Sequence, residues 1–207
     1  MVIISTLKQE KNYHLTILHI SDTHGLHNQL GELPPADVLV HSGDFTENGA
    51  EAEVLDFLNW FITLPYAHKI FVAGNHDLCL RDADNIADLP DNVYFLQDRS
   101  IVIGGMTFFG LGYDHPIELI PNDVDVLVTH EPPCEILDFS SGIHWGNLAL
   151  LLRVKTVKPY YHLFGHAHDG YGVINKNGII CSNASLLDDN CRIIHKPRLI
   201  TTGCVSN

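Results

Sequence analysis

The chain has 207 residues, of which 45% are hydrophobic and 18% charged, and its formal net charge is −13 with neutral histidines. This length predicts one domain with a sizeable core, and no apolar run is long enough to predict a membrane span. Non-specific binding of DNA or RNA relies on positive charge, so we expect no stable nucleic-acid binding.

The N-terminal residues and the cysteines indicate the cellular compartment in which the protein is expected. Residues 1–12 include Lys8, Glu10 and Lys11 and lack an apolar segment followed by a small-residue cleavage site, so no signal peptide is predicted. Five scattered cysteines form no Cys-x-x-Cys motif, which favours reduced thiols over a disulfide framework. We therefore expect a cytoplasmic protein.

The first part of the chain alternates predicted strands and helices. Strands are predicted at residues 14–21, 37–42 and 69–73 because these are short apolar runs. A helix is predicted at 51–64, ended by Pro65, because its apolar residues recur on one face: Val54, Phe57, Leu58, Phe61 and Ile62.

The second part predicts shorter elements and a more antiparallel arrangement. A helix is predicted at 146–156, and strands are predicted at 92–97, 100–103, 106–110, 124–129 and 161–164. Gly104-Gly105 and Asn177-Gly178 are turn signals, and residues 172–185 and 192–200 are predicted to be hairpins. The pattern favours an α/β protein with a mixed sheet, or two sheets packed face to face and flanked by helices.

Five polar motifs each follow an apolar run. They are Asp22-Thr23-His24, Gly43-Asp44, Gly74-Asn75-His76-Asp77, Thr129-His130 and Gly165-His166-Ala167-His168. Ligands of open α/β sheets bind beyond the carboxyl ends of the strands, where these motifs are expected to lie. The motifs supply enough Asp, Asn and His side chains for two divalent metal ions, which predicts a metal-dependent hydrolase of phosphate esters.

The order of these motifs resembles that of the calcineurin-like metallophosphoesterases. The resemblance spans residues 17–185, and it is strongest in the segments HISDTHG (19–25), GNHD (74–77), HLFGHAH (162–168) and NAS (183–185). The chain looks like the small single-domain branch related to the metallophosphoesterase-domain-containing proteins. This resemblance implies one domain over residues 1–207, with 1–13 as an extension or edge segment. It also implies a four-layer sandwich in which two mixed β-sheets pack face to face and helices flank them.

The resemblance also implies a ligand set for two divalent metal ions. One ion would be held by Asp22, His24, Asp44 and His168, and Asp44 would bridge to a second ion held also by Asn75, His130 and His166. A carboxylate suits the bridge because its spare lone pairs can serve two cations. Oxygen and imidazole ligands without thiolate suit Mn, Fe, Zn or Ni, and paired ions can share a hydroxide that attacks phosphorus.

We expect His76 and Asp77 to act in catalysis rather than in metal binding. His76 would point at the scissile phosphate and stabilise the transition state or protonate the leaving oxygen. Asp77 would orient the His76 ring and raise its pKa. The alternative for Asp77 is that it caps the following segment.

Three residues are weaker candidates for the substrate pocket. Trp145 could stack on a ring, with His144 beside it in a loop between two ligand-bearing strands, and Phe45 follows the predicted bridging aspartate. The alternative for the loop is a packed surface segment. His19, His41 and His162 lie in predicted strands and are expected to be core residues or supports for the ligands.

The leading function is hydrolysis of a small phosphodiester such as a cyclic nucleotide, which the closest branch of the family suggests. Phosphomonoesterase, protein phosphatase and nuclease are alternatives within the class, since a fold does not fix a substrate. A non-catalytic metal- or nucleotide-binding module is the alternative from another class. The sequence leaves the oligomeric state open.

Overall fold

The computed structural model describes residues 14–203, so the predicted N-terminal extension lies outside the described residues. Its strands and helices in chain order are β1 Thr16–Ile20, β2 Val38–His41, α1 Glu51–Thr63, β3 His68–Phe71, β4 Val93–Phe95, β5 Arg99–Ile103, β6 Met106–Gly110, β7 Val126–Val128, β8 Phe139–Ser140, β9 Ile143–His144, α2 Leu148–Val157, β10 Tyr161–Phe164, β11 Gly172–Lys176, β12 Ile179–Asn183 and β13 Arg198–Thr201. Short 3₁₀ turns occupy His27–Gln29, Leu78–Leu80, Ile117–Leu119 and His168–Gly170.

Two mixed sheets form the body of the fold. The first has five strands in the order β13-β1-β2-β3-β4, and the second has six in the order β11-β12-β10-β7-β6-β5. The strands β1 to β4 run parallel, as do β6, β7, β10 and β12, while β13, β11 and β5 are antiparallel edge strands. This arrangement confirms the predicted mixed sheets.

The core consists of three apolar clusters. They lie between the four layers of the sandwich, which are α1, the first sheet, the second sheet and α2. Alternate residues of β1 and β2 point to opposite faces. Ile17 and Val38 face the second sheet, where they pack against Phe108 and Leu163, whereas Leu18 packs against the α1 side. A third apolar cluster lies between the second sheet and α2. The predicted sandwich is therefore confirmed, with one helix outside each sheet.

Both predicted helices are present, and their ends follow from the sequence. The α1 helix begins where the Glu53 carboxylate accepts the backbone N–H of Ala50. The α2 helix begins where the Asn147 side chain accepts the N–H of Leu150, and it ends at Lys158 in a left-handed conformation. Within residues 14–203, neither helix has the length and apolar character needed to traverse a lipid bilayer.

Three details differ from the sequence predictions. The strand β4 belongs to the first sheet and runs parallel to β3, although the middle of the chain was expected to be mainly antiparallel. The segment 192–200 is not a hairpin, since β13 pairs with the distant β1. A two-stranded pair, β8 and β9, was not predicted. Each of these three pairings depends on contacts between segments that are distant in the sequence. A short strand has too few residues for its sequence to predict its partner.

The fold places the predicted ligand motifs at one edge. In both sheets, the parallel strands have their carboxyl ends at the same side, and each motif begins within three residues of the end of β1, β2, β3, β7 or β10. A backbone hydrogen bond from Gly165 N to His130 O ties two of these loops together, and another from Asp22 N to Gly43 O ties two more. The loops therefore converge on a single cleft.

Candidate metal centre

Three groups of possible metal ligands lie in this cleft, each with its ligand atoms within 4.8 Å of one another. They are Asp22 with His24 and His168, Asp44 with His130 and His166, and His24 with Asp44 and His76. Asp44 and His24 each belong to two groups, so the groups form one continuous centre rather than separate sites. The structure thus brings together six of the seven predicted ligands, and Asn75 completes the set as described next.

One part of the centre is formed by Asn75, His130, His166 and Asp44, whose ligand atoms lie close together. The Asn75 Oδ1 atom lies 2.9 Å from His130 Nε2 and 2.8 Å from His166 Nδ1, and those two ring nitrogens are 3.3 Å apart. The Asp44 Oδ2 atom lies 3.2 Å from His130 Nε2. Four ligand atoms from four different loops therefore point at one small volume.

The other part of the centre, formed by Asp22, His24, His168 and Asp44, has longer distances between its ligand atoms. His168 Nε2 lies 3.6 Å from Asp22 Oδ1, and His24 Nε2 lies 3.8 Å from Asp44 Oδ2. Neither ring nitrogen of His24 has a hydrogen-bond partner within residues 14–203, although the ring is buried. A buried polar atom without a partner costs free energy, and a divalent cation beside Nε2 would remove that cost at this atom, while Nδ1 lies 3.5 Å from the Glu47 carboxylate. The donor set therefore fits a metal ion.

Four of the candidate ligands have a backbone conformation that is uncommon for residues other than glycine. Asp22, His24, Asp44 and His166 all have positive φ angles, at 54°, 39°, 56° and 68°. Non-glycine residues rarely adopt this conformation, which costs about 1–3 kcal/mol each and is concentrated at functional sites. A Cβ atom at Gly74 would lie 2.2 Å from Asp44 Oδ1, so the loop can approach the carboxylate only with glycine there.

Buried charges at the centre shift the pKa values of its members. Burial alone would lower the pKa of His130, but the adjacent Asp44 carboxylate raises it to about 10. Burial opposes ionisation of Asp44 as well, yet His130 holds its pKa below the ordinary value. Burial lowers the pKa of His166 to about 4, with a contribution from His130. His130 and Asp44 therefore each stabilise the charged form of the other.

Neighbouring groups fix the orientation of the ligands. The Ser185 hydroxyl donates to Asp22 Oδ2 at 2.6 Å, and the His166 backbone N–H donates to the same carboxylate at 3.1 Å. His130 Nδ1–H donates to the carbonyl oxygen of Ser42 at 2.9 Å, which leaves Nε2 free to face the centre. Such outer contacts set the tautomer and direction of a metal ligand.

Asn183 anchors the loop that carries two of the histidines. Its fully buried amide group donates to the carbonyl oxygens of Ala167 at 2.8 Å, Leu137 at 3.0 Å and Gly165 at 3.3 Å. Its Oδ1 atom accepts the Ser185 N–H at 3.0 Å. The segment NAS, singled out in the sequence, therefore works behind the ligands rather than among them.

Asp77 does not have the role expected from the sequence. In the described part of the chain, its buried carboxylate contacts neither the His76 ring nor the N–H groups of the turn that follows. Instead, Oδ2 accepts the N–H groups of Asp44 and Gly74 at 2.9 and 2.8 Å, and Oδ1 accepts the N–H and hydroxyl of Thr46 at 2.9 and 2.7 Å. Burial and the nearby Asp44 raise the pKa of Asp77 to about 6. Asp77 therefore joins the two loops that present Asp44 and Asn75.

His76 lies at the open side of the centre. Its ring is half-buried, 4.7 Å from the His24 ring between centroids, and its Nδ1–H donates to the carbonyl oxygen of Glu47 at 2.7 Å. The Glu47 carbonyl thus orients the His76 ring, the role that was expected of Asp77. The Nε2 atom of His76 remains available to the cleft. His76 could donate a proton there or serve as a further ligand, since it also belongs to the third ligand group.

The three candidates for the substrate pocket have different positions. Phe45 does not line a pocket, because it is fully buried and stacks on Phe57 with ring centroids 4.1 Å apart. Trp145 is 46% exposed, and its ring centre lies 5.6 Å from that of His166. His144 is exposed and bonds through Nδ1 to Asp138 at 2.9 Å. Of the three, Trp145 is therefore the one with a ring contact to a ligand histidine.

Tyr113 is a residue of the cleft that the sequence analysis missed. Its half-buried ring lies 5.9 Å from His130 and 6.5 Å from His166 between centroids. It also lines a small cavity of about 60 Å³ together with Glu131 and Asn147. The signal was available, because Tyr113 follows β6, and β6 runs parallel to β7 and ends at the same edge. It was overlooked because β6 was assigned to an antiparallel region.

Three other histidines support the centre from inside the core. His19 bonds to Ser182 and Ser42, His41 to Thr23, and His162 to Thr129. All three are fully buried, and burial lowers the pKa of each to about 3. They are therefore neutral hydrogen-bonding groups behind the ligand loops, as expected from their strand positions.

The chain is similar to known proteins over most of its length. Residues 15–170 match the family model described as calcineurin-like phosphoesterase. A UPF0046 protein of Caenorhabditis elegans is 35% identical over 217 residues, which covers 89% of this chain and 74% of that protein. Human metallophosphoesterase domain-containing protein 1 is 32% identical over 225 residues, covering 87% of this chain and 69% of the relative.

A solved structure has the same fold at much lower sequence identity. The phosphopantetheinyl hydrolase of Mycobacterium tuberculosis superposes with a TM-score of 0.63 and 16% identity, covering 92% of this chain and 97% of that one. At this identity the similarity concerns the fold alone. The family match, by contrast, extends over the loops that carry all seven candidate ligands, while the supporting residues Asn183 and Ser185 lie beyond its end.

Proposed function

This chain belongs to the calcineurin-like phosphoesterase family, and we propose that it is a phosphodiesterase that hydrolyses small substrates such as cyclic nucleotides. The proposed cofactors are two divalent metal ions of the Mn, Fe, Zn or Ni type. Asp22, His24, Asp44 and His168 would hold one ion, and Asp44, Asn75, His130 and His166 would hold the other.

The observation that carries the proposal is the shared position of Asp44. Its Oδ1 atom accepts the His76 N–H at 2.8 Å, so the carboxylate cannot rotate freely. Its Oδ2 atom faces His24 on one side and His130 on the other. A carboxylate fixed between two ligand groups has the placement that a bridge between two cations needs.

Bound divalent ions would supply Lewis acidity and a water molecule of lowered pKa. The chain's own residues do the remaining work. His76, with Nδ1 held by the Glu47 carbonyl, presents Nε2 to the cleft, where a proton could pass to the leaving oxygen. The strained loops hold the ligands in place before the substrate arrives, which reduces the reorganisation needed in the transition state.

The aromatic residues favour a substrate with a planar ring. Tyr113 and Trp145 both lie beside His166, and Trp145 has an exposed face. Aromatic side chains stack on nucleobases with about 1–3 kcal/mol per base. This supports a nucleotide over a simple alkyl phosphate. The net charge of −13 supports a small ligand over a polynucleotide.

The proposed location is cytoplasmic. The four cysteines within residues 14–203 are all free thiols, which suits a reducing compartment.

The test is a substrate panel with the purified protein and each of Mn, Fe, Zn and Ni. The panel contains a bis-aryl phosphodiester, an aryl phosphomonoester, and 2′,3′- and 3′,5′-cyclic nucleotides. We expect the diesters to have the higher kcat/KM, and Asp44→Asn to lose metal and activity together. The matched control is Asp123→Asn, because Asp123 is exposed and remote from the ligand groups.

The outcomes separate the alternatives. Preference for the phosphomonoester would replace the proposal with a phosphomonoesterase. Bound metal without turnover of any substrate would favour a non-catalytic binding module. Two metal ions per chain in Asp44→Asn, measured by elemental analysis, would refute the bridging role of Asp44.

A further inference from the structure

A second cavity lies away from the metal centre, between α2, the turn joining β11 to β12, and the loop 134–136. Its volume is about 290 Å³, just below the roughly 300–1,000 Å³ typical of ligand pockets. Its lining includes none of the candidate metal ligands and none of the aromatic residues beside them. It is therefore a separate site.

The inner part of this cavity is apolar. Ile136, Leu151, Val154 and Ile179 line it, and each is at most 7% exposed. The fully buried Cys181 also lines it, and burial raises the pKa of its thiol to about 12, so it is a neutral group there. The inner surface suits a hydrocarbon segment, which gains about 25 cal/mol per Å² of apolar surface removed from water.

The rim of the cavity is cationic. Lys155, Lys158 and Lys176 line it, and all three are exposed, while Glu135 is the only acidic residue that residues 14–203 contribute to the lining. Residues 14–203 contain five lysines, so most of them surround this one cavity. In a chain with a net charge of −13 this local excess of positive charge is unusual, and it is complementary to an anion.

The walls of the cavity are fixed by hydrogen bonds rather than formed by loose loops. The Cys134 N–H donates to the Asn147 carbonyl at 3.1 Å, and the Glu135 N–H donates to Asp138 at 2.9 Å. On the other side, the Asn175 side chain accepts the Gly178 N–H at 3.0 Å and closes the turn between β11 and β12. A ligand would therefore enter a preformed space, which lowers the entropic cost of binding.

We propose that this cavity binds a free amphiphilic anion, with a carboxylate or phosphate head among Lys155, Lys158 and Lys176 and a medium-length apolar tail between α2 and β12. The free molecule is favoured over a bilayer, because the overall negative charge repels an anionic membrane surface. The cavity is also a recess, so a lipid would have to leave the bilayer to fill it.

Calorimetric titration with sodium decanoate below its micelle-forming concentration tests the charge and the tail. We expect binding of one decanoate per chain, and much weaker binding of decanol, which lacks the charge, and of acetate, which lacks the tail. The double variant Lys155→Gln/Lys176→Gln should bind decanoate about tenfold more weakly, since it loses two favourable charges. Both residues are exposed, so the variant should fold. Lys196→Gln, also exposed and outside the cavity, is the matched control.

Thiol alkylation tests the location. Cys134 lines the cavity and is half-buried, whereas the exposed Cys79 and Cys191 lie elsewhere. Decanoate should slow alkylation of Cys134, measured by peptide mass analysis, and leave Cys79 and Cys191 unchanged as internal controls.

Several outcomes would overturn the proposal. These are an absence of decanoate binding, equal affinity for decanol, equal loss of affinity in Lys196→Gln and the double variant, or unprotected Cys134. Binding to phosphatidylserine vesicles without binding to free decanoate would replace it with a membrane contact.

Discussion

Asn183→Ala should destabilise the protein through the loop that carries His166 and His168. The amide has two N–H hydrogens directed at three backbone carbonyls, and its oxygen accepts one N–H. Alanine removes about three net hydrogen bonds, each worth about 1 kcal/mol. The groups left behind are buried, so water cannot replace the lost partners. We expect the free energy of unfolding to fall by about 3 kcal/mol.

The assay is urea unfolding of the metal-free protein, followed by circular dichroism. With a denaturant slope of about 2 kcal/mol/M, a loss of about 3 kcal/mol moves the midpoint down by about 1.5 M. The matched control is Asn122→Ala, because Asn122 is exposed. Elemental analysis should also show less bound metal in Asn183→Ala, since the histidine loop has lost its anchor. A midpoint within about 0.3 M of the control would refute the reasoning.

Three further predictions concern the centre and its surroundings. His76→Ala should keep its bound metal and lose kcat by about 10²–10⁴-fold, and an unchanged kcat would remove His76 from the mechanism. Trp145→Ala should raise KM for a cyclic nucleotide more than for a dimethyl phosphodiester, and an equal effect on both would contradict stacking. Burial lowers the pKa of His162 from 6.5 to about 3, so His162 is neutral in the folded protein near neutral pH. Below pH 6.5 the unfolded chain binds a proton at His162 that the folded protein does not, so the free energy of unfolding falls as the pH falls. His162→Gln should therefore reduce the acid-induced loss of unfolding free energy by about 1.4 kcal/mol per pH unit between about pH 6.5 and pH 3. Parallel pH profiles for the two proteins in that window would contradict it.

Local patterns in the sequence were sufficient for most elements of the fold. The apolar face of residues 51–64 predicted α1 to within one residue, and the predicted strands 106–110 and 161–164 coincide with β6 and β10. These predictions succeed because the spacing of apolar residues along a short segment follows the periodicity of the helix or strand that buries them. The ligand loops could be predicted for a similar reason, since each motif begins within three residues of the end of its strand.

Pairings between distant segments were decided only by the tertiary structure. The strand β13 lies beside β1, and nothing near residue 198 indicates that partner. The assignment of β4 as parallel to β3 depends on a crossover that local residues do not encode.

The roles of individual side chains divide in the same way. The sequence by itself determined that oxygen and imidazole ligands would meet at one edge of the sheets, because strand ends carry them there. Only the tertiary structure decided that Asp77 binds backbone N–H groups, that Phe45 is buried against Phe57, and that Tyr113 faces the centre. The direction of a side chain depends on which distant groups compete for it, and that competition is settled when the sheets and helices pack.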